Sequence, residues 1–381
     1  EGGARLADIV LFAGIRSGQL GSRASGSWTD WEPPLRDREV EALEDARATL
    51  FAEIDFQLFL QFQFFRQHAA LRQAASDRGI GIIGDIPIFI AHDSVDVWVD
   101  REGYDLDDVG NPCNVAGVPP DYFSKYGQRW GNPLYRWEKM ASRGYRWWID
   151  RLRSSLHLYD VVRIDHFRGF DEYWQIPASE PTAVAGEWVS GPGRDFFDRV
   201  AESITSPAIL VEDLGEISDA VEALRDDLGY PGMKVVQFGF SDPESPHLPH
   251  NFASDNCVVY SGTHDNDTTL GWWKGLDRKE RDEVRRVLGR PRLGKARATD
   301  AVDAIVHYVF ASLARLAVVP MQDLLCLDSA ARLNLPGKMR TSNWQWQMAA
   351  ADLSSELAAT TRARLIGLNR LGEAGEESER L

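Results

Sequence analysis

From residue 36 to residue 78 the chain carries no proline, and its apolar positions recur three to four apart through "RDREVEALEDARATLFAEIDFQLFLQFQFFRQHAALRQAASDR". That spacing predicts helix, stopped by Gly79. Beyond it the pattern changes. Short β-branched runs each close on a polar or acidic residue: "GIGIIGD" at Asp85, "YDVVRID" at Asp165, "AILVED" at Glu212 and Asp213, "MKVVQF" around Gln237, "CVVYSGTHD" at Asp265, and "VVPMQDLL" around Gln322 and Asp323. Helical stretches such as 219–229 and 298–317 lie between them. Strands alternating with helices predict an α/β fold with a parallel sheet. Reactive residue types at the carboxyl end of strand after strand favour a (β/α)8 barrel over a doubly wound sheet, which gathers its site at one switch point. No GxGxxG turn follows a first strand.

Six such strands are recognisable, against the eight of a closed barrel. Residues 1–35 contain no convincing pair, so the deficit predicts further chain ahead of Glu1. Residues 1–371 read as a single catalytic barrel, and the charged stretch 372–381 as a tail. Residues 92–150, rich in Gly, Pro, Tyr and Trp, read as a long insertion that covers a cleft.

Composition narrows the partners. A net charge of −16 argues against nucleic acid or an anionic membrane, because phosphate binding takes clustered Lys and Arg. No run of 18 apolar residues is present to span a bilayer. Cys113, Cys257 and Cys326 stand far apart without CxxC spacing, which predicts a reducing, cytoplasmic setting and neither a disulfide framework nor a zinc site. "GRPRLGKA" at 289–296 resembles a phosphate loop, but Ala296 replaces the hydroxyl that would meet magnesium, and a polar helical stretch precedes it instead of a strand.

Three strand-end carboxylates carry the chemistry: Asp165 in "RIDHF", Glu212 in "VEDLGE" and Asp265 in "GTHDND". Strand ends of a barrel converge on one mouth, so acids far apart in sequence meet in one pocket. Glycoside cleavage needs such a set. One carboxylate attacks the anomeric carbon and another, kept protonated, protonates the leaving oxygen, the two lying roughly 5–5.5 Å apart in a retaining enzyme. Helix caps or surface ion pairs are the bland alternative, weakened by three acids after three hydrophobic runs with Arg163 and His264 beside them. Metal ligation is the other rival, but neither HExxH nor calcium-loop spacing occurs. Asp85 is a fourth strand-end acid, for which capping and substrate contact are both open. Tyr122, Phe123, Gln128 and Trp130 in the insertion suit stacking on and hydrogen bonding to a sugar, with packing as the alternative.

Long blocks of this chain resemble the 4-α-glucanotransferases, also called amylomaltases or disproportionating enzymes. They are "GDIPIFIAHDSVDVW", "NPCNVAGVPPDYFSKYGQRWGNPLYRW", "VVRIDHFRGFDEYWQIPAS", "LVEDLGEISDAVEALRDDLGYPGMKVVQF" and "VVYSGTHDNDTTLGWW", within a likeness from about residue 27 to about residue 370. The resemblance implies a barrel related to the α-amylases and a retaining transglycosylase. Such an enzyme cleaves a 1,4-α-glucan, holds the donor part covalently, and passes it to the 4-hydroxyl of another glucan, without cofactor or catalytic metal. By position, Asp165 is implied as the nucleophile, Glu212 as the general acid/base and Asp265 as the stabilising acid. Arg163 is implied beside the nucleophile, keeping it ionised. His264 and Asp85 are implied on sugar hydroxyls, and Gln128 and Trp130 over the cleft. Maltooligosaccharides are the implied partners. Ser342 and Asp328 stand where the family usually has glycine, and its members carry further N-terminal residues. Two other outcomes stay open: an α-glucan hydrolase on the same scaffold, and an inactive glucan-binding remnant.

Overall fold

The computed structural model describes residues 2–120, 124–338 and 340–371, with side chains from Leu6 onward. Tyr122, Phe123 and the charged tail 372–381 lie outside the described residues. The strands among them are, in chain order, β1 (Ile83–Pro87), β2 (Asn114–Val118), β3 (Gln128–Pro133), β4 (Val161–Asp165), β5 (Glu172–Pro177), β6 (Glu187–Ser190), β7 (Ile209–Val211), β8 (Gly232–Val235), β9 (Cys257–Tyr260) and β10 (Leu316–Val318). The six strands read from the sequence correspond to β1, β4, β7, β8, β9 and β10. By contacts the chain forms two compact units, Glu1–Ile209 with Ile217–Leu224, and Leu210–Glu216 with Arg225–Leu381.

In the first unit β1 and β4 pair in parallel, with Asp85 opposite Arg163 and Pro87 opposite Asp165. Buried and exposed residues alternate along β1, whereas Val161, Val162 and Ile164 of β4 are buried, the continuous apolar habit of a parallel strand covered on both faces. The Val162 N–H donates to Ala208 O, leading into β7, whose first residue, Ile209, still belongs to this unit. An aromatic core lies nearby: Trp148, Phe170, Phe196 and Phe197 are fully buried, and the Phe170 and Phe196 rings stack 4.9 Å apart.

Residues 92–150 are not a bare loop. They supply the helix Val95–Val99, β2, β3 and the helix Trp137–Ser142. β2 and β3 join β5 and β6 in an antiparallel sheet of order β3-β2-β5-β6. Gly, Pro and Asn obscure β2 and β3 in the sequence, and β5 and β6 are defined by their partners: Trp174 and Trp188 face each other across the pair at 5.1 Å.

The helix expected over 36–78 is two, Val40–Thr49 and Phe51–Ser76, interrupted at the buried Leu50. Gly79, with φ 66°, follows the second as expected. That helix buries none of its residues, and Phe56, Phe59, Phe62 and Phe65 are exposed.

In the second unit β9 lies between β8 and β10, all parallel, with Val258 opposite both Met233 and Leu316. The helix expected over 298–317 ends at Phe310, and β10 starts at Leu316. Val236, Val259, Trp273, Ile305 and Val309 form the core beneath this sheet. The phosphate-loop look-alike at 289–296 is a run of turns after the helix Arg278–Val287.

Candidate functional site

The parallel register of β1 and β4 sets Asp85 across from Arg163, and the same strand brings Asp165 two residues further on the same face. Arg163 uses both ends of its fork: Nη1 meets Asp85 Oδ1 at 2.7 Å, and Nη2 meets Asp165 Oδ1 at 2.8 Å. Its side chain is only 12% exposed, while those of Asp85 and Asp165 are 50% and 41% exposed. One inward cation therefore orients two carboxylates that open outward, a geometry that the rigid planar fork of a guanidinium fixes more firmly than an ammonium would.

After Asp165 the chain reverses through His166, at φ 53°, into a short helical turn Phe167–Phe170. The fully buried Phe167 and Phe170 anchor that turn from below. His166 meets the Trp130 indole edge-on, centroids 4.9 Å apart at 87°. Burial lowers its pKa to about 4, against the opposing pull of Asp165, so the ring is neutral at pH 7. Gln128 and Trp130 are two apart on β3 and so share a face, and the indole N–H donates to Gln128 Oε1 at 3.2 Å. Trp130 is 38% exposed.

In the second unit Glu212 follows β7 directly, and its Oε1 accepts the Leu214 N–H at 3.1 Å. The neighbouring Asp213 is buried. It accepts the Met233 N–H at 2.6 Å and meets Arg225 Nη1 at 2.5 Å, clamping the strand end to β8 and to the helix Asp219–Leu228. Asp265 and His264 lie in the turn after β9. Asn334 Nδ2 donates to Asp265 Oδ1 at 2.6 Å, Arg332 Nη2 donates to Asp265 O at 2.6 Å, and the Asn334 N–H donates to His264 O at 3.1 Å. The Trp344 ring lies 5.2 Å from that of His264. Beneath, the buried Asp323 accepts from Ser261 Oγ at 2.6 Å, from the Thr269 N–H at 2.7 Å and from Thr269 Oγ1 at 2.7 Å. Burial raises its pKa. Gln237 donates to Asp267 O at 3.1 Å. Gln237, Asp213 and Asp323 thus brace strand ends and loops, a different use of the polar strand-end pattern.

The structure thus groups Asp85 with Arg163 and Asp165, Gln128 with Trp130 and His166, and His264 with Asp265. Sequence reading misses Arg332, Asn334 and Trp344, which reach the turn after β9 from 67 or more residues downstream. Among the described residues no group of three or more His, Cys, Asp or Glu side chains is placed to hold a metal ion. None of the described helices is long and apolar enough to cross a membrane.

A family model described as 4-alpha-glucanotransferase matches residues 1–353. The chain belongs to the 4-alpha-glucanotransferase family. It is 48% identical over 368 residues to the 4-alpha-glucanotransferase of Thermus thermophilus, covering 96% of this chain and 73% of the relative. It is 43% identical to that of Synechocystis sp., covering 90% of this chain and 66% of the relative. Amylomaltase from Streptococcus agalactiae, solved in complex with acarbose, superposes with a TM-score of 0.90 at 34% identity, over 96% of this chain and 72% of that one. The fold is accordingly the (β/α)8 architecture of the amylomaltases, with β1, β4, β7 and β8–β10 as its recognisable parallel strands.

Proposed function

We propose that residues 1–371 act as one catalytic barrel that transfers a segment of a 1,4-α-glucan to the 4-hydroxyl of another glucan or of glucose. In the first step the Asp165 carboxylate attacks the anomeric carbon of the donor, while the Glu212 carboxyl gives its proton to the glycosidic oxygen. The C–O bond breaks, the shortened glucan leaves with a new 4-hydroxyl, and a glycosyl-aspartate ester remains. In the second step Glu212, now a carboxylate, takes the proton from an acceptor 4-hydroxyl. The acceptor oxygen attacks the same carbon and releases Asp165. Asp265, held by Asn334, stabilises the oxocarbenium-like transition state. His264 and Asp85 bind hydroxyls of the transferred sugar, and Gln128 and Trp130 line its path.

The observation that carries this proposal is the Arg163 fork, which fixes Asp165 and Asp85 together at one open strand end. Maltooligosaccharides are the expected substrates, consistent with an oligosaccharide ligand, acarbose, in the S. agalactiae relative. A cytoplasmic setting is supported by three cysteines that are all free thiols.

Incubation of the chain with maltotriose alone tests the reaction. Glucose together with maltopentaose and longer products is expected. Glucose and maltose with no longer chain would mean hydrolysis, and would overturn transfer as the main outcome.

A further inference from the structure

His166 is unexplained by those roles, yet its backbone lies in the left-handed region, at φ 53°, which few non-glycine residues occupy and where histidine, like Asn and Asp, is among the enriched. Such a conformation persists only where surrounding contacts fix it. Here it breaks the strand's alternation directly after Asp165 and turns the imidazole toward β3. A side chain at Gly169 would intrude on that place: a Cβ there would stand 2.7 Å from Ile88 Cδ1 and 3.2 Å from His166 Cδ2. On one side of the indole of Trp130 lies the His166 ring, edge-on with centroids 4.9 Å apart, and the Phe89 ring is tilted against it with centroids 6.5 Å apart. What remains of Trp130 is open to solvent. The backbone strain and the ring contact are separate observations that point to one function, holding the indole.

We infer that His166 is a positioning residue that holds Trp130 beside the Asp165 strand end, so that a sugar acceptor instead of water meets the covalent intermediate. The inference rests on the proposed transfer chemistry. A held indole offers the acceptor ring a flat apolar face, and its bulk excludes water from the volume the acceptor will fill. A loose indole leaves the ester formed at Asp165 open to hydrolysis. Both outcomes balance: the glycosyl group goes either to an acceptor 4-hydroxyl or to water, and Glu212 takes the proton in each.

The test uses the full chain with maltotriose and reads the ratio of elongated products to net new reducing ends, in wild type, His166→Asn, Trp130→Ala and the double variant. Asn tolerates the left-handed backbone without supplying the ring. His166→Gly is the second variant, should the first fold poorly. An edge-on ring pair contributes enough to shift a partition about 2- to 12-fold, so His166→Asn is expected to lower the transfer-to-hydrolysis ratio by about that factor. It should have little further effect in the Trp130→Ala background, because both changes remove one interaction. An unchanged ratio in His166→Asn, or effects that multiply independently in the double variant, would overturn the inference while leaving transfer intact. A wild-type chain that cleaves maltotriose without ever elongating it would instead overturn the transfer chemistry itself.

Discussion

At the scale of single residues the most exacting contact is Arg163, one cation serving two carboxylates. Lysine keeps the charge and three donors but has no rigid planar fork, so Arg163→Lys holds the two carboxylates in a less fixed geometry. We expect that substitution to lower kcat/KM on maltotriose by about 10- to 100-fold, with the fold retained by far-UV circular dichroism. Activity within threefold of wild type would show that the fork is dispensable. Protonation supplies a second test. His166 and His247 are both lowered to about 4 by burial, and His247 Nδ1 accepts the Val235 N–H at 3.2 Å, which only the unprotonated nitrogen does. The unfolded chain takes up these protons near pH 6.5 and the folded chain only near 4. The stability they contribute is therefore complete above 6.5 and is lost as the pH falls toward 4, at up to about 1.4 kcal/mol per pH unit for each ring. Asp323 acts in the opposite sense. Its raised pKa makes stability fall as the pH rises above the ordinary carboxylate value of 3.8. Urea midpoints measured from pH 7 to pH 4 should drop, and His247→Gln should flatten that drop. Parallel curves for the two proteins would remove His247 as a cause.

At the scale of elements, legibility in the sequence follows the range of the interaction that fixes each one. The six parallel strands are legible because their apolar runs close on polar residues at the same end. Asp85, Arg163 and Asp165 are legible for the same reason, since two strand ends in register suffice to join them. β5 and β6 are not, because their strand character depends on pairing within a sheet assembled from separated segments. Asn334 and Trp344 are not, because contact with Asp265 and His264 spans about 70 to 80 residues without a local pattern. The split of the expected 36–78 helix at Leu50 is likewise not legible, since the apolar spacing runs on through it. Burial also orders the cost of substitution. Phe59 is 52% exposed on its helix and Trp148 is fully buried. Phe59→Ser should change unfolding free energy by no more than about 0.5 kcal/mol. Trp148→Ala should cost about 3–5 kcal/mol. Chemical denaturation of the two variants checks this, and a large loss from Phe59→Ser would mean that its helix is covered in solution.

At the scale of the whole molecule, the charge of −16 and the neutral substrate class make a joint prediction. A glucan carries no charge to steer, so KM for maltotriose should change less than about twofold between about 0.05 M and about 0.5 M salt. A steep salt dependence would point to a charged ligand. The three acids remain the centre of the proposed assignment, and Asp165 is the one whose proposed role would leave a covalent trace. The most direct measurement is therefore mass spectrometry of the chain after reaction with 5-fluoro-α-glucosyl fluoride, a donor chosen so that breakdown of the covalent intermediate is slowed. One fluoroglucosyl unit is predicted on the peptide that contains Asp165, and none in Asp165→Asn, whose turnover of maltotriose should also fall by at least roughly 10⁴-fold. A label on another carboxylate, or turnover of wild-type chain with no label at all, would contradict the assignment of Asp165 as the nucleophile.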